Sequence, residues 1–89
     1  MTFAELPAHS PVTLCPEVAK DLGRAVSVAA DLDRTWTVWC GVCRLTDARY
    51  GRLGDVLEAW PLLARQELPK MGQRYERDNK GVWLLREEI

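Results

Sequence analysis

The segment Thr35-Trp-Thr-Val-Trp-Cys-Gly-Val42 constrains this chain more than any other stretch. Polar and apolar residues alternate along it, and β-branched and aromatic side chains dominate, the pattern of a pleated strand. The alternation places Trp36, Val38, Cys40 and Val42 on one face. A strand needs a neighbour, and the preceding stretch offers one: Val26, Val28 and Ala30 alternate with Ala25, Ser27 and Ala29. Residues 24–32 also permit a helix. The adjacent strand favours a hairpin instead, with Asp31-Leu-Asp-Arg34 as its turn.

The remaining segments fit around that hairpin. Residues 1–14 carry Pro7 and Pro11 without a clear period and read as an extended N-terminal arm, with a short strand at Val12–Leu14. Pro16 suits the first turn of a helix, where its missing N–H costs nothing, and Gly23 can end it. Thr46 and Asp47 can cap a further helical start that Gly51 and Gly54 weaken. From Leu53 the stripe is better: Leu53, Val56, Leu57, Trp60 and Ala64 share a face until Pro61 kinks or splits the helix and Pro69 stops it. Gln73–Arg77 and Val82–Arg86 flank Asp78-Asn-Lys-Gly81 as a second hairpin. The expected fold is α+β, a small, mainly antiparallel sheet built from hairpins with one or two helices packed on one face, in a single domain over residues 1–89. Its predicted core is Trp36, Val38, Val56, Leu57, Trp60, Leu63, Trp83 and Leu85.

A chain of 89 residues buries about 60–65% of its unfolded surface, which leaves little room for a deep cleft. A net charge of −1 supplies no global field toward nucleic acid or anionic lipid. The first residues lack a basic stretch followed by an apolar run, and no run of about 18 apolar residues appears. Three cysteines is an odd number for a disulfide scaffold. These features point to a cytoplasmic protein with no membrane partner.

Cys40-Gly-Val-Cys43 is the one local motif with chemistry attached, and it has three readings. The first is one structural zinc, for which the four candidate ligands are His9, Cys15, Cys40 and Cys43. The second is redox. Trp39-Cys-Gly-Val-Cys43 resembles the thioredoxin active-site signature, tryptophan-cysteine-glycine-proline-cysteine, with Val42 in the proline position. That resemblance implies that Cys40 attacks and Cys43 resolves, that a helix opens at the motif, and that Pro69 takes the place of the family's cis-proline. The third reading requires no cofactor: cysteine behaves as a small hydrophobe, and on a continuing strand Cys40 and Cys43 face opposite sides and never meet.

Two basic clusters accompany aromatic residues: Arg44, Arg49 and Arg52 around Tyr50, and Lys70, Arg74, Arg77 and Lys80 beside Tyr75. Asp47, Asp55, Glu76 and Asp78 interrupt them, so a face of mixed charge competes with a nucleic-acid track. Four tryptophans are many for this length. Trp36 and Trp39 face opposite sides of their strand, so Trp39, or Trp83 on the last strand, is available to anchor a partner. The expected function is non-enzymatic: a stand-alone inhibitor or adaptor that binds a protein partner through Trp39, Trp83, Tyr50, Arg44, Arg49 and Arg52. In size and in lacking a catalytic constellation the chain resembles small phage-encoded blockers of host machines such as anti-CRISPR proteins. A zinc-stapled nucleic-acid-binding module and a thioredoxin-like redox protein are the alternatives, and both monomer and homodimer are open.

Overall fold

The computed structural model describes residues 1–30, 35–43 and 47–87. The Asp31–Arg34 turn, the cap at Thr46 and the partner-binding candidate Arg44 lie outside the described residues. The alternating segment forms strand β3 (Trp36–Trp39) and pairs antiparallel with β2 (Ser27–Ala30), Val28 opposite Val38. The β-branched and small residues before the turn thus form a strand, not a helix. The strand stops at Trp39, so Val42 lies past its end and is exposed.

β1 (Pro11–Leu14) lies on the other side of β3 and runs parallel to it, Val12 opposite Trp36 and Leu14 opposite Val38. Between them the chain passes through α1 (Pro16–Lys20), which begins with Pro16, and a 3₁₀ turn at Leu22–Arg24. Among the described residues the sheet has six strands in the order β4-β1-β3-β2-β5-β6, with every pair except β1–β3 antiparallel. The fold is a small α+β unit with two helices packed on a mostly antiparallel sheet.

The edge strand β4 (Arg49–Arg52) occupies the place expected for a helical start. Gly51 explains the difference. It sits opposite Val12, and a Cβ there would lie 2.7 Å from Leu14 Cδ1, so the position is built for close strand packing, not for a helix turn. The helix begins directly afterwards as α2 (Leu53–Ala59) and ends before Pro61, whose missing N–H cannot continue the ladder. β5 (Gln73–Arg77) and β6 (Trp83–Glu87) form the expected hairpin, with Gly81 at φ +84 in its turn.

The strand register separates two faces. Val12, Leu14, Val28, Trp36, Val38 and Tyr75 turn to one side and are buried with Val18 of α1 and Leu53 and Val56 of α2. The predicted core is confirmed at Trp36, Val38, Val56, Leu63 and Trp83, while Leu57 and Trp60 pack partly buried against it. Leu85 is exposed instead: on edge strand β6 only the first residue, Trp83, is covered, by Trp60 at the end of α2.

The first fourteen residues, expected as an extended arm with a short strand at Val12–Leu14, carry a 3₁₀ turn at Phe3–Glu5 as well as β1. Phe3 is fully buried in a 3₁₀ turn, its ring edge-on to Trp36 at 5.3 Å and to Tyr75 at 6.1 Å. Backbone bonds from Phe3 to Gln66 and from Leu68 to Met1 tie this end to the segment after α2. Phe3 is the chain's one phenylalanine, and its burial removes more apolar surface than an extended arm would.

Candidate functional site

Parallel pairing decides where the cysteines go. β1 and β3 run in the same direction with Leu14 opposite Val38, so the residues that follow each strand emerge at the same end of the sheet. Cys15 follows β1 and Cys40 follows β3. The Cys15 N–H donates to the Val38 carbonyl at 3.2 Å, which fixes Cys15 beside the end of β3. Gly41, at φ +93, then turns the chain, and the Cys43 N–H donates back to Cys40 Sγ at 3.3 Å. The indole N–H of Trp39 closes this loop on the Cys43 carbonyl at 2.7 Å. The sulfur atoms of Cys15, Cys40 and Cys43 lie within 4.8 Å of one another.

This corrects two expectations. Cys40 and Cys43 are not on opposite faces of a strand, because β3 ends before them and Gly41 reverses the path. His9 is not a fourth ligand: it is exposed and lines a shallow groove with Arg52, Asp55 and Glu58. The extended strand β1 lies between His9 and Cys15, and at about 3.3 Å per residue it holds them at opposite ends of the sheet.

The cluster divides its protons unequally. Desolvation pushes the Cys40 thiol up, but hydrogen bonds from the Val42 N–H, the Cys43 thiol, the Cys43 N–H and the Cys15 thiol outweigh it and bring it down to about 7. Cys43 moves the opposite way, to about 11. Its bond to Cys40 raises it most, the Glu17 N–H works against that, and desolvation and Cys15 add to the rise. These hydrogen bonds favour the thiolate form of Cys40 and the thiol form of Cys43. Cys15 is fully buried, whereas Cys40 and Cys43 are partly open to solvent. Three such sulfurs can bind one thiophilic cation, and the sulfur with the lowered pKa, Cys40, is the one most readily oxidised.

The thioredoxin resemblance does not extend beyond its five residues. Gly41–Cys43 form a bend, not the start of a helix, and β3 lies in a mostly antiparallel sheet. Every described peptide bond is trans, including that of Pro69.

The partner-binding candidates are divided between surfaces. Trp83 is 4% exposed and meets Trp60 edge-on at 5.6 Å, so it is a core residue that no partner can grip. Arg77 stacks over Trp60 at 4.5 Å and covers that pair. Trp39 is half-buried on the sheet face opposite the helices, where it lines a hollow of about 450 Å³ with Ala29, Thr37, Arg74 and Glu76. Tyr50 stands opposite Thr13, which stands opposite Thr37, so Tyr50 and Trp39 share this face. Alternation puts Arg52 on the same side and Arg49 on the other. The open face as a unit, with Ala29, Thr37 and Glu76, was not visible in sequence. The signal that finds it is the i, i+2 partner of each buried strand residue, once the strand order is known.

No family model matches the chain, and no curated protein or solved structure matches it either.

Proposed function

We propose that this protein is a non-enzymatic binding domain in which Cys15, Cys40 and Cys43 hold one zinc ion and the open sheet face receives a protein partner. One observation carries the metal half: sulfurs from two stretches 25 residues apart in sequence meet within 4.8 Å, at the end of the one parallel strand pair. A zinc ion there ties β1, β3 and the Cys40–Cys43 loop together, and structural zinc contributes directly to folding free energy. The reading places the protein in the cytoplasm, where thiols stay reduced.

Mixed charge on the open face supports a protein over a nucleic acid as partner. Arg74 Nε lies 2.7 Å from Glu76 Oε1 and Arg86 Nε lies 3.9 Å from Glu76 Oε2, so the basic groups there are offset by an acid. Trp39 and Tyr50 supply the anchors, and Arg52 sits at the rim. Edge strand β6, with Leu84 and Leu85 exposed, is where two copies would pair if the protein is a homodimer and not a monomer.

A redox reading has its own observation, the Cys40 thiol brought down to about 7 beside two further sulfurs. Native mass spectrometry before and after chelation and mild oxidation separates the two readings. The zinc reading predicts one zinc mass that chelation removes. A metal-free protein that loses two daltons on oxidation supports the dithiol instead. For the partner, pull-down with Trp39→Ala and Tyr50→Ala is expected to lose binding, while His9→Ala retains it. Retention of every partner by both aromatic variants contradicts the assignment of this face, and binding to nucleic acid that weakens steeply with salt replaces the protein partner with a phosphate backbone.

A further inference from the structure

The three sulfurs form the one cluster of potential metal ligands among the described residues, and no described histidine or carboxylate joins them. Cys15 is fully buried, while Cys40 and Cys43 are partly open. Cys40 also lines a hollow of about 400 Å³ with Glu17, Gly23, Arg24, Val42 and Arg77, so small molecules reach the cluster from that side. The charged groups of the hollow are already engaged. Arg24 Nη1 lies 2.6 Å from Glu17 Oε2, and its Nε lies 3.9 Å from Asp21 Oδ2. Arg77 donates from Nε to the Ala25 carbonyl at 2.8 Å and stacks on Trp60. Charge therefore does not select what enters; the number and valence of the sulfurs do.

Two requirements follow. With three donors and no fourth, the cluster suits a species that completes its coordination at three. With three thiolates, one on a fully buried residue, and no unengaged cation among the described residues lining the hollow, it suits a trivalent species, because a buried excess charge is costly. Zinc takes a fourth ligand, such as water, and leaves one negative charge in excess on the centre. A trivalent metalloid meets both requirements. Arsenic(III) makes three bonds to soft sulfur, carries a lone pair in the fourth direction and neutralises three thiolates.

We infer that Cys15, Cys40 and Cys43 together form a receptor for a trivalent metalloid delivered as its neutral hydroxide, with arsenous acid as the probe. Only the sulfur geometry is needed for this, so it goes beyond the zinc reading and does not depend on it. In the capture three S–H bonds and three arsenic–hydroxyl bonds break, three arsenic–sulfur bonds form and three waters leave. No atom changes oxidation state. The uncharged hydroxide matches a hollow whose ionic groups are paired, and Cys40, which lines it, is the first sulfur that the hydroxide meets.

The full chain, reduced with a phosphine and stripped of metal by a chelator, is mixed with arsenite and read by native mass spectrometry and by a thermal scan. The expected product carries one arsenic per chain, its mass raised by one arsenic atom less three protons, which marks the loss of all three hydroxyls. Its Tm is expected to rise, because the new bonds join the end of β1 to the Cys40–Cys43 loop. A product that keeps one hydroxide on arsenic means capture by two sulfurs only and overturns the inference. An unchanged Tm also overturns it, since the folded chain would then hold the sulfurs no better than the unfolded one. Cys15→Ser is expected to bind arsenite more weakly and to give the hydroxide-retaining product; equal affinity in this variant means that the third sulfur contributes nothing. The mass of the unaltered chain decides the matter even where that variant does not fold. Zinc titration of the same preparation keeps the two readings apart. Arsenic on three sulfurs without zinc binding upholds the inference and overturns the zinc reading, and zinc binding with a hydroxide left on arsenic does the reverse.

Discussion

At the scale of single residues, the tryptophans divide by what covers them. Trp83 is buried against Trp60, whereas Trp39 is half-buried with its indole N–H bound to the Cys43 carbonyl. Trp83→Ala is therefore expected to cost about 3–5 kcal/mol in denaturant unfolding, the range for truncating a buried aromatic. A loss within 1 kcal/mol would contradict its place in the core. Sequence alone could not rank these two, because both sit in alternating segments and the cover comes from residues far along the chain. The cysteines differ in a measurable way as well. In metal-free protein, alkylation of Cys40 is expected to reach half its maximal rate near pH 7, with Cys43 reacting only at much higher pH, since the thiolate is the nucleophile. Mass mapping of the alkylated peptides across pH checks this, and equal profiles for the two would contradict the unequal hydrogen bonding of Cys40 and Cys43.

At the scale of elements, the two hairpins were legible because their alternation and turn residues are local. The strand at Arg49–Arg52 was not. Gly51 and Gly54 read as helix weaknesses in isolation, while in the fold each marks a close approach. A Cβ on Gly54 would lie 2.8 Å from the Cβ and 3.0 Å from the carbonyl oxygen of Ala8, and the Gly54 N–H donates to that same carbonyl. Gly54→Ala is thus expected to destabilise by about 1–3 kcal/mol despite alanine's higher helix propensity. Thermal unfolding of the variant tests this, and an unchanged or raised Tm would show that the contact can relax. The parallel pairing of β1 with β3 was equally hidden, because it joins strands separated by a helix and a third strand. That pairing is the reason Cys15 joins the Cys40–Cys43 pair while His9 does not.

At the scale of the whole molecule, a chain of this length has a net stability of roughly 5–10 kcal/mol. A metal staple is a large addition to such a total. Zinc at about a hundred times its Kd adds about 2.7 kcal/mol, and each kcal/mol raises the Tm of a domain this size by roughly 4–8 °C. A rise of about 10–20 °C on adding zinc, reversed by a chelator, is the expected outcome in a thermal scan. Trp39 donates to the Cys43 carbonyl of the loop that the proposed zinc would hold, so under that proposal partner binding at the open face is expected to weaken when the metal is removed. Among the described residues no helix is long and apolar enough to cross a membrane.

Calorimetric zinc titration of the reduced protein, with Cys15→Ser and His9→Ala beside the unaltered chain, bears most directly on the three-sulfur centre. One zinc ion is expected to bind to the unaltered chain and to His9→Ala with equal affinity, and to bind far more weakly to Cys15→Ser. Loss of binding in His9→Ala, or full binding in Cys15→Ser, would contradict a centre built at the shared end of β1 and β3.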